Sequence, residues 1–138
     1  MADEVHEIVE GDGYAVAHID AMGDDYGFRK VRRAVGVTEF GVNAVVMPPG
    51  YGGGGHYHDE QQELYFVHRG TVEFEFGDGS THRLGPGAVA RVDAATVRGF
   101  RNVGDDDAVY VIVGAKGGYV GRDAHQPPGE ERVTGPSQ

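Results

Sequence analysis

His56 and His58 are separated by one residue, and Glu63 follows after a short polar stretch, Asp59-Glu60-Gln61-Gln62. On an extended strand, residues two apart project to the same side, so both imidazoles can converge on one ion. A turn through the intervening stretch then brings Glu63 back beside them on a second strand. Two imidazoles and one carboxylate form the facial set that holds non-haem iron or a similar divalent metal and leaves coordination positions open. The residues expected to hold a metal are therefore His56, His58 and Glu63, with no discrimination among iron, manganese, zinc and nickel.

Strand parity relates several further side chains to one another. Tyr65 and Val67 share the face of Glu63, so Tyr65 can hydrogen-bond a ligand or fill the core with its hydroxyl satisfied elsewhere. Arg98 and Phe100 share a face on a later strand. Phe100 reads as core filling or as a wall of the ligand site. His68 has the opposite parity to Glu63 and faces outward. His6, His18, His82 and His125 fall in terminal, loop or strand-end contexts and read as surface residues.

The elements that must position these groups are strands. Glycine occurs 24 times between short apolar runs, and no window sustains the 3.6-residue period of a long amphipathic helix. Val72, Phe74 and Phe76 alternate with Thr71, Glu73 and Glu75, and Gly77-Asp78-Gly79-Ser80 then supplies a hairpin turn. Comparable runs are expected as strands at Arg33 to Val37, Phe40 to Met47, Glu63 to His68, Ala88 to Val92, Val97 to Asn102 and Ala108 to Val113. Their spacing predicts a sandwich or barrel. Ala108 to Val113 is apolar on both faces, which points to cover by a partner sheet or subunit and hence to a homodimer. The glycine run Gly52 to Gly55 reads as a flexible lip over the barrel mouth, since it lacks the ending of a phosphate loop. Asp105-Asp106-Asp107 reads as a solvated turn rather than a calcium loop.

Bulk properties exclude several classes. The chain has 138 residues, enough for one core. Its net charge is −10, and its 12 basic residues include only Lys30 and Lys116 as lysines, so a phosphate backbone would meet net repulsion. Without cysteine there is no disulfide framework or thiolate centre. Ser80 and Ser137 lie in no nucleophile elbow. A soluble, cytoplasmic protein is expected, with neither nucleic-acid nor membrane partners, because no basic start, secretory leader or membrane-length apolar stretch is present. Residues 1–25 are expected as an N-terminal arm, 26–120 as the barrel and 121–138 as a flexible C-terminal tail.

Gly50, His56, His58, Glu63 and Gly70 stand at the spacing G-x5-H-x-H-x4-E-x6-G, which resembles the first motif of the cupin superfamily. Gly87 and Asn102 resemble the outer anchors of its second motif. Asp93 and Ala95 replace that motif's proline and glycine, and Arg98 stands where the family places a fourth, histidine ligand. The resemblance thus sets Arg98 beside the metal set, where its guanidinium, with no lone pair to give a metal, can clamp a carboxylate or phosphate bidentately or pair with Glu63 in place of a metal. The resemblance implies an all-β jelly-roll barrel, or double-stranded β-helix, and a small-molecule ligand within it. The reading that follows is a small cupin binding a divalent metal and a small, anionic ligand near Arg98. If it is an enzyme, the resemblance implies metal-dependent dioxygenase or isomerase chemistry. The alternatives are a non-catalytic binding or sensor module, and a metal-free, epimerase-like barrel using His56 or His58 as base and a phenol such as Tyr65 as acid.

Overall fold

The computed structural model describes residues 3–127. Alternation of apolar and polar residues builds most of the architecture, because each strand must bury one face. In chain order the strands are β1 (Val9–Gly11), β2 (Tyr14–Val16), β3 (Gly27–Arg29), β4 (Gly41–Met47), β5 (Tyr57–His58), β6 (Gln62–Arg69), β7 (Val72–Phe76), β8 (Thr81–Leu84), β9 (Val89–Val92), β10 (Arg98–Asn102), β11 (Ala108–Ala115) and β12 (Ala124–His125). A 3-10 turn at Ile19–Met22 and a one-turn helix, α1 (Val31–Val35), are the helical elements among the described residues. Neither is long and apolar enough to cross a membrane.

Five strands form one sheet in the order β3-β4-β11-β6-β9, and three form another in the order β10-β7-β8. Val45, Met47, Tyr65, Val67, Tyr110 and Ile112 from the first sheet meet Val72 and Phe74 from the second in one core, and Phe28 and Phe100 pack against it. Phe100 lies 4.9 Å from the Phe74 ring, 5.1 Å from Tyr65 and 5.4 Å from Tyr110, centroid to centroid. The contacts with Tyr65 and Tyr110 tie the two sheets together, each adding about 0.5–1.5 kcal/mol beyond burial. The all-β jelly roll expected from the sequence is the fold observed.

The anchor residues of the two motifs have visible physical roles. Gly70 takes φ +75°, and a Cβ there would lie 2.9 Å from Ala108 Cα, so only glycine fits between β6 and β7. Asn102 closes the second motif by donating to the carbonyls of Met47 and Asp106 at 2.9 Å and accepting from Gly104 N–H at 2.9 Å. The Gly77 to Ser80 turn forms as expected, with Asp78 Oδ1 accepting from Ser80 N–H at 2.9 Å.

The structure departs from the sequence expectations in two places. The run from Arg33 to Val37 is not a strand: Ala34 N–H donates to Lys30 O at 3.0 Å, and Gly36 ends α1 in the left-handed conformation, φ 75°. Its apolar alternation was too short to outweigh that helix stop. The Gly52 to Gly55 run is no free lip. Gly53 N–H donates to Phe100 O at 3.2 Å, and a Cβ on Gly52 would meet that same oxygen at 2.7 Å, so this run supports close backbone approach to β10. In the segment expected as a flexible tail, β12 pairs with β5 through Ala124↔His58 and His125↔Tyr57; residues 128–138 lie outside the described ones. In the segment expected as an N-terminal arm, β1 and β2 form an exposed hairpin.

β11 lies between β4 and β6. Its inner residues Ala108, Tyr110 and Ile112 are buried, and Val111 and Val113 on its outer face are half-buried. Beside them Leu64, Phe66 and Val89 are exposed.

Candidate metal centre

Three backbone segments bring the expected ligands together. His56 is bridged to β10, its N–H donating to Arg98 O at 2.8 Å and its carbonyl accepting from Arg98 N–H at 2.9 Å. His58, on β5, donates its backbone N–H to Ala94 O at 2.7 Å. Glu63 points inward from β6 opposite Gly114 of β11. His56, His58 and Glu63 are buried, and each offers a ligand atom within 4.8 Å of the others.

His58 is oriented by a residue the sequence reading missed. Its Nδ1 lies 2.7 Å from Asp123 Oδ1. The Asp123 carboxylate also accepts from the backbone N–H groups of Glu60 and Gln61, at 2.8 and 3.1 Å, and from Gln61 Nε2 at 2.5 Å. A carboxylate only accepts, so the His58 Nδ1–H donates to it and Nε2 is turned toward Glu63, 3.1 Å from Oε1. This is the carboxylate-histidine arrangement that fixes ring orientation and tautomer at metal sites. Asp123 carries no local signal, standing 65 residues from His58 in sequence. The β12–β5 pairing beside it brings it there.

Around Glu63, Tyr65 O–H donates to Oε1 at 2.5 Å, and the second oxygen, Oε2, is buried with no hydrogen-bond partner among the described residues. Gly114 makes room for this layer: a Cβ there would meet Gln61 Oε1 at 2.2 Å and Glu63 Cγ at 3.3 Å. Arg98 is fully buried. Its Nη1 donates to Thr96 O at 2.8 Å and Ala94 O at 3.3 Å, and its Nη2 to Asp93 O at 3.3 Å, so the guanidinium clasps the turn before β10. It remains 3.7 Å from Glu63 Oε1. Phe100 packs between His56, at 5.7 Å, and Tyr65, at 5.1 Å. The inward parity of Tyr65, Arg98 and Phe100 and the outward parity of His68 are both as expected.

Burial pushes the His58 imidazole down, but hydrogen bonds to Glu63 and Asp123 and the Glu63 charge outweigh it and raise the pKa above its ordinary 6.5. Burial pushes Glu63 up, yet its bonds to His58 and Tyr65 and the His58 and Arg98 charges leave it below 4.5. Burial and the Glu63 charge hold Tyr65 well above the usual phenol value, so it stays a proton donor.

By linkage, the His58 contribution to stability is complete below 6.5 and is lost as pH rises through its raised pKa; the Glu63 contribution is complete above 4.5 and is lost as pH falls through its lowered pKa. In chelator, the pair should stabilise the fold most between pH 4.5 and 6.5, so the melting temperature should fall as pH rises above 6.5. A His58→Gln variant should show a flatter profile. Equal slopes for the two proteins would show that the pair does not govern stability in that range.

The donor chemistry fits a divalent cation: two imidazole rings and a carboxylate with one buried oxygen unsatisfied, at close mutual range. Fold and site together define a double-stranded β-helix barrel with a His-His-Glu cluster inside. A family model described as the cupin domain matches residues 43–114, just over half of the chain, and the chain belongs to that family. No curated protein matches the sequence.

Among solved structures, the chain is similar to an uncharacterised conserved protein with a double-stranded β-helix domain from Klebsiella pneumoniae, at 19% identity and TM-score 0.63, covering 80% of this chain and 95% of that one. It is also similar to a predicted oxalate decarboxylase from Thermotoga maritima, at 24% identity and TM-score 0.52, over 55% of this chain and 65% of that one. A DMSP lyase from Ruegeria pomeroyi matches at 23% identity and TM-score 0.58, over 67% of this chain and 46% of that one. The chain thus spans less than two thirds of the last two proteins, and at these identities the likeness establishes the fold.

Proposed function

We propose that this cupin binds one divalent metal through His56, His58 and Glu63 and places a small organic anion beside it. The observation that carries this reading is the buried convergence of two imidazoles on a carboxylate whose Oε2 lacks a hydrogen-bond partner among the described residues. A divalent metal held there supplies Lewis-acid or oxygen-activating chemistry at its open positions, the basis for oxygenation or isomerisation. The protein's own groups have distinct tasks. Asp123 holds His58 with Nε2 facing inward, and Tyr65 keeps its proton on the bond to Glu63. The Arg98 charge offsets Glu63, while its engagement with the carbonyls of residues 93–96 favours a fixed positioning role over a mobile clamp. Phe100 walls the site beside His56.

Protein expressed with metal supplementation should carry close to one equivalent of metal per chain by elemental analysis, and chelation should abolish turnover of any substrate. Metal-free protein that refuses reloading would overturn the reading.

One observation favours a second reading, metal-free acid–base chemistry: His58 already has an orienting carboxylate in Asp123, and Tyr65 lies in the same buried cluster as a proton donor. That activity would survive chelation. The exposed Leu64, Phe66 and Val89 on the outer face of the five-stranded sheet support, in either case, a homodimer in which a second copy covers them.

A further inference from the structure

The chain carries 22 aspartates and glutamates against 12 lysines and arginines, so a small anion meets repulsion over most of the surface. One cavity of about 230 Å³ reverses that balance. Lys30, Arg32, Arg33 and Arg122 line it, and no carboxylate does. None of the four makes an ion pair among the described residues. Two are held by aromatic rings: the Arg32 guanidinium carbon lies 3.9 Å from the Tyr119 centroid, and Lys30 Nζ lies 4.9 Å from that of Phe28. Such contacts orient a cation without neutralising it. Gathering four like charges without counter-ions is unfavourable by itself and favourable once an anion enters.

The cavity adjoins the metal cluster. Gln61 and Gly114 line it, and they also form the layer over Glu63, where Gln61 Nε2 donates to Asp123 Oδ1. Arg122 immediately precedes Asp123, so one segment supplies a cation to the cavity and the carboxylate that orients His58. The volume lies below the roughly 300–1,000 Å³ of drug-sized pockets, which suits a few-carbon anion and is too small for a nucleotide.

We propose that this cavity is the capture site for a small organic anion bearing at least two negative charges, one end paired with Lys30, Arg33 and Arg122 and the other directed at the layer over Glu63. The inference deepens the reading of an anionic ligand at the metal cluster by assigning its recognition to residues outside the 43–114 family match, rather than to Arg98. Planar guanidinium groups bind carboxylate or phosphate oxygens in pairs, so both chemistries belong in the test.

Calorimetric titration at low ionic strength with succinate, citrate and inorganic phosphate, and with acetate as a singly charged control, measures this directly. At least one multiply charged probe should bind more tightly than acetate, and its affinity should fall at least tenfold in the Arg33→Gln/Arg122→Gln variant and be unchanged in Arg83→Gln, remote from the cavity. Lys30→Gln, an exposed single substitution, should give a smaller loss in the same direction. Equal affinity in the wild-type and double-variant proteins, or no binding of any probe, would overturn the inference. The same titration on the His56→Ala/His58→Ala protein separates the two ideas. Binding kept there and lost in the arginine variant supports the cavity whatever the metal content. Binding lost there and kept in the arginine variant overturns the cavity while leaving the metal reading intact.

Discussion

The His56→Ala/His58→Ala protein is expected to hold no stoichiometric metal and to show no rise in melting temperature when a divalent metal is added. Removing both imidazoles leaves Glu63 as the one member of the ligand set, beside the positive Arg98 at 3.7 Å. One carboxylate facing a guanidinium cannot compete with water for a divalent ion as a three-residue set does. The fold should survive. Glu63 keeps its bond from Tyr65 and the Arg98 charge, and Asp123 keeps the donors from Glu60 and Gln61. The loss of stability in chelator should therefore stay below the about 3–5 kcal/mol seen when a buried ion pair loses all compensation. Elemental analysis and thermal melts with and without added metal measure both effects. Equal metal content in the variant and wild type would place the metal elsewhere in the protein.

Asp123→Ala is expected to weaken metal binding about 10–100-fold, the usual cost of losing a carboxylate behind a ligating histidine. Without it, the His58 ring loses the acceptor that fixes Nδ1–H, and the Glu60 and Gln61 donors lose their shared anchor. Asp123→Asn should recover part of the affinity, because its carbonyl oxygen still accepts from Nδ1–H while the charge is gone. The tautomer of His58, followed through its ring nitrogen chemical shifts, should become mixed in Asp123→Ala and remain ordered in Asp123→Asn. A purely structural role would lower the melting temperature without moving either metal affinity or tautomer. Unchanged affinity in competition titrations of Asp123→Ala would remove Asp123 from the site.

Much of the site was readable because strand geometry is local. The period-2 rule that places Glu63, Tyr65 and Val67 on one face needs only neighbouring residues, and all three are buried as that rule requires. The same rule turns Arg98 and Phe100 to one face, Arg98 buried and Phe100 half-buried against the core, and local glycines mark the hairpin after Phe76. Where local signals conflicted, the reading failed. Val35-Gly36-Val37 alternates like a strand, yet Gly36 acts as the stop of a helical turn. The four glycines before His56 suggested mobility, yet they let the backbone lie against β10.

The sequence by itself determined the strand faces, the glycine-marked turns and the His56, His58 and Glu63 set, since each is marked by residue spacing within a short stretch of chain. Only the tertiary structure decided that Asp123 stands behind His58, that Arg98 turns its guanidinium to the carbonyls of residues 93–96, and that Lys30, Arg32 and Arg33 share a cavity with Arg122. Those contacts depend on where the chain returns after closing the barrel. That return is set by long-range sheet pairing and packing, which no local periodicity encodes.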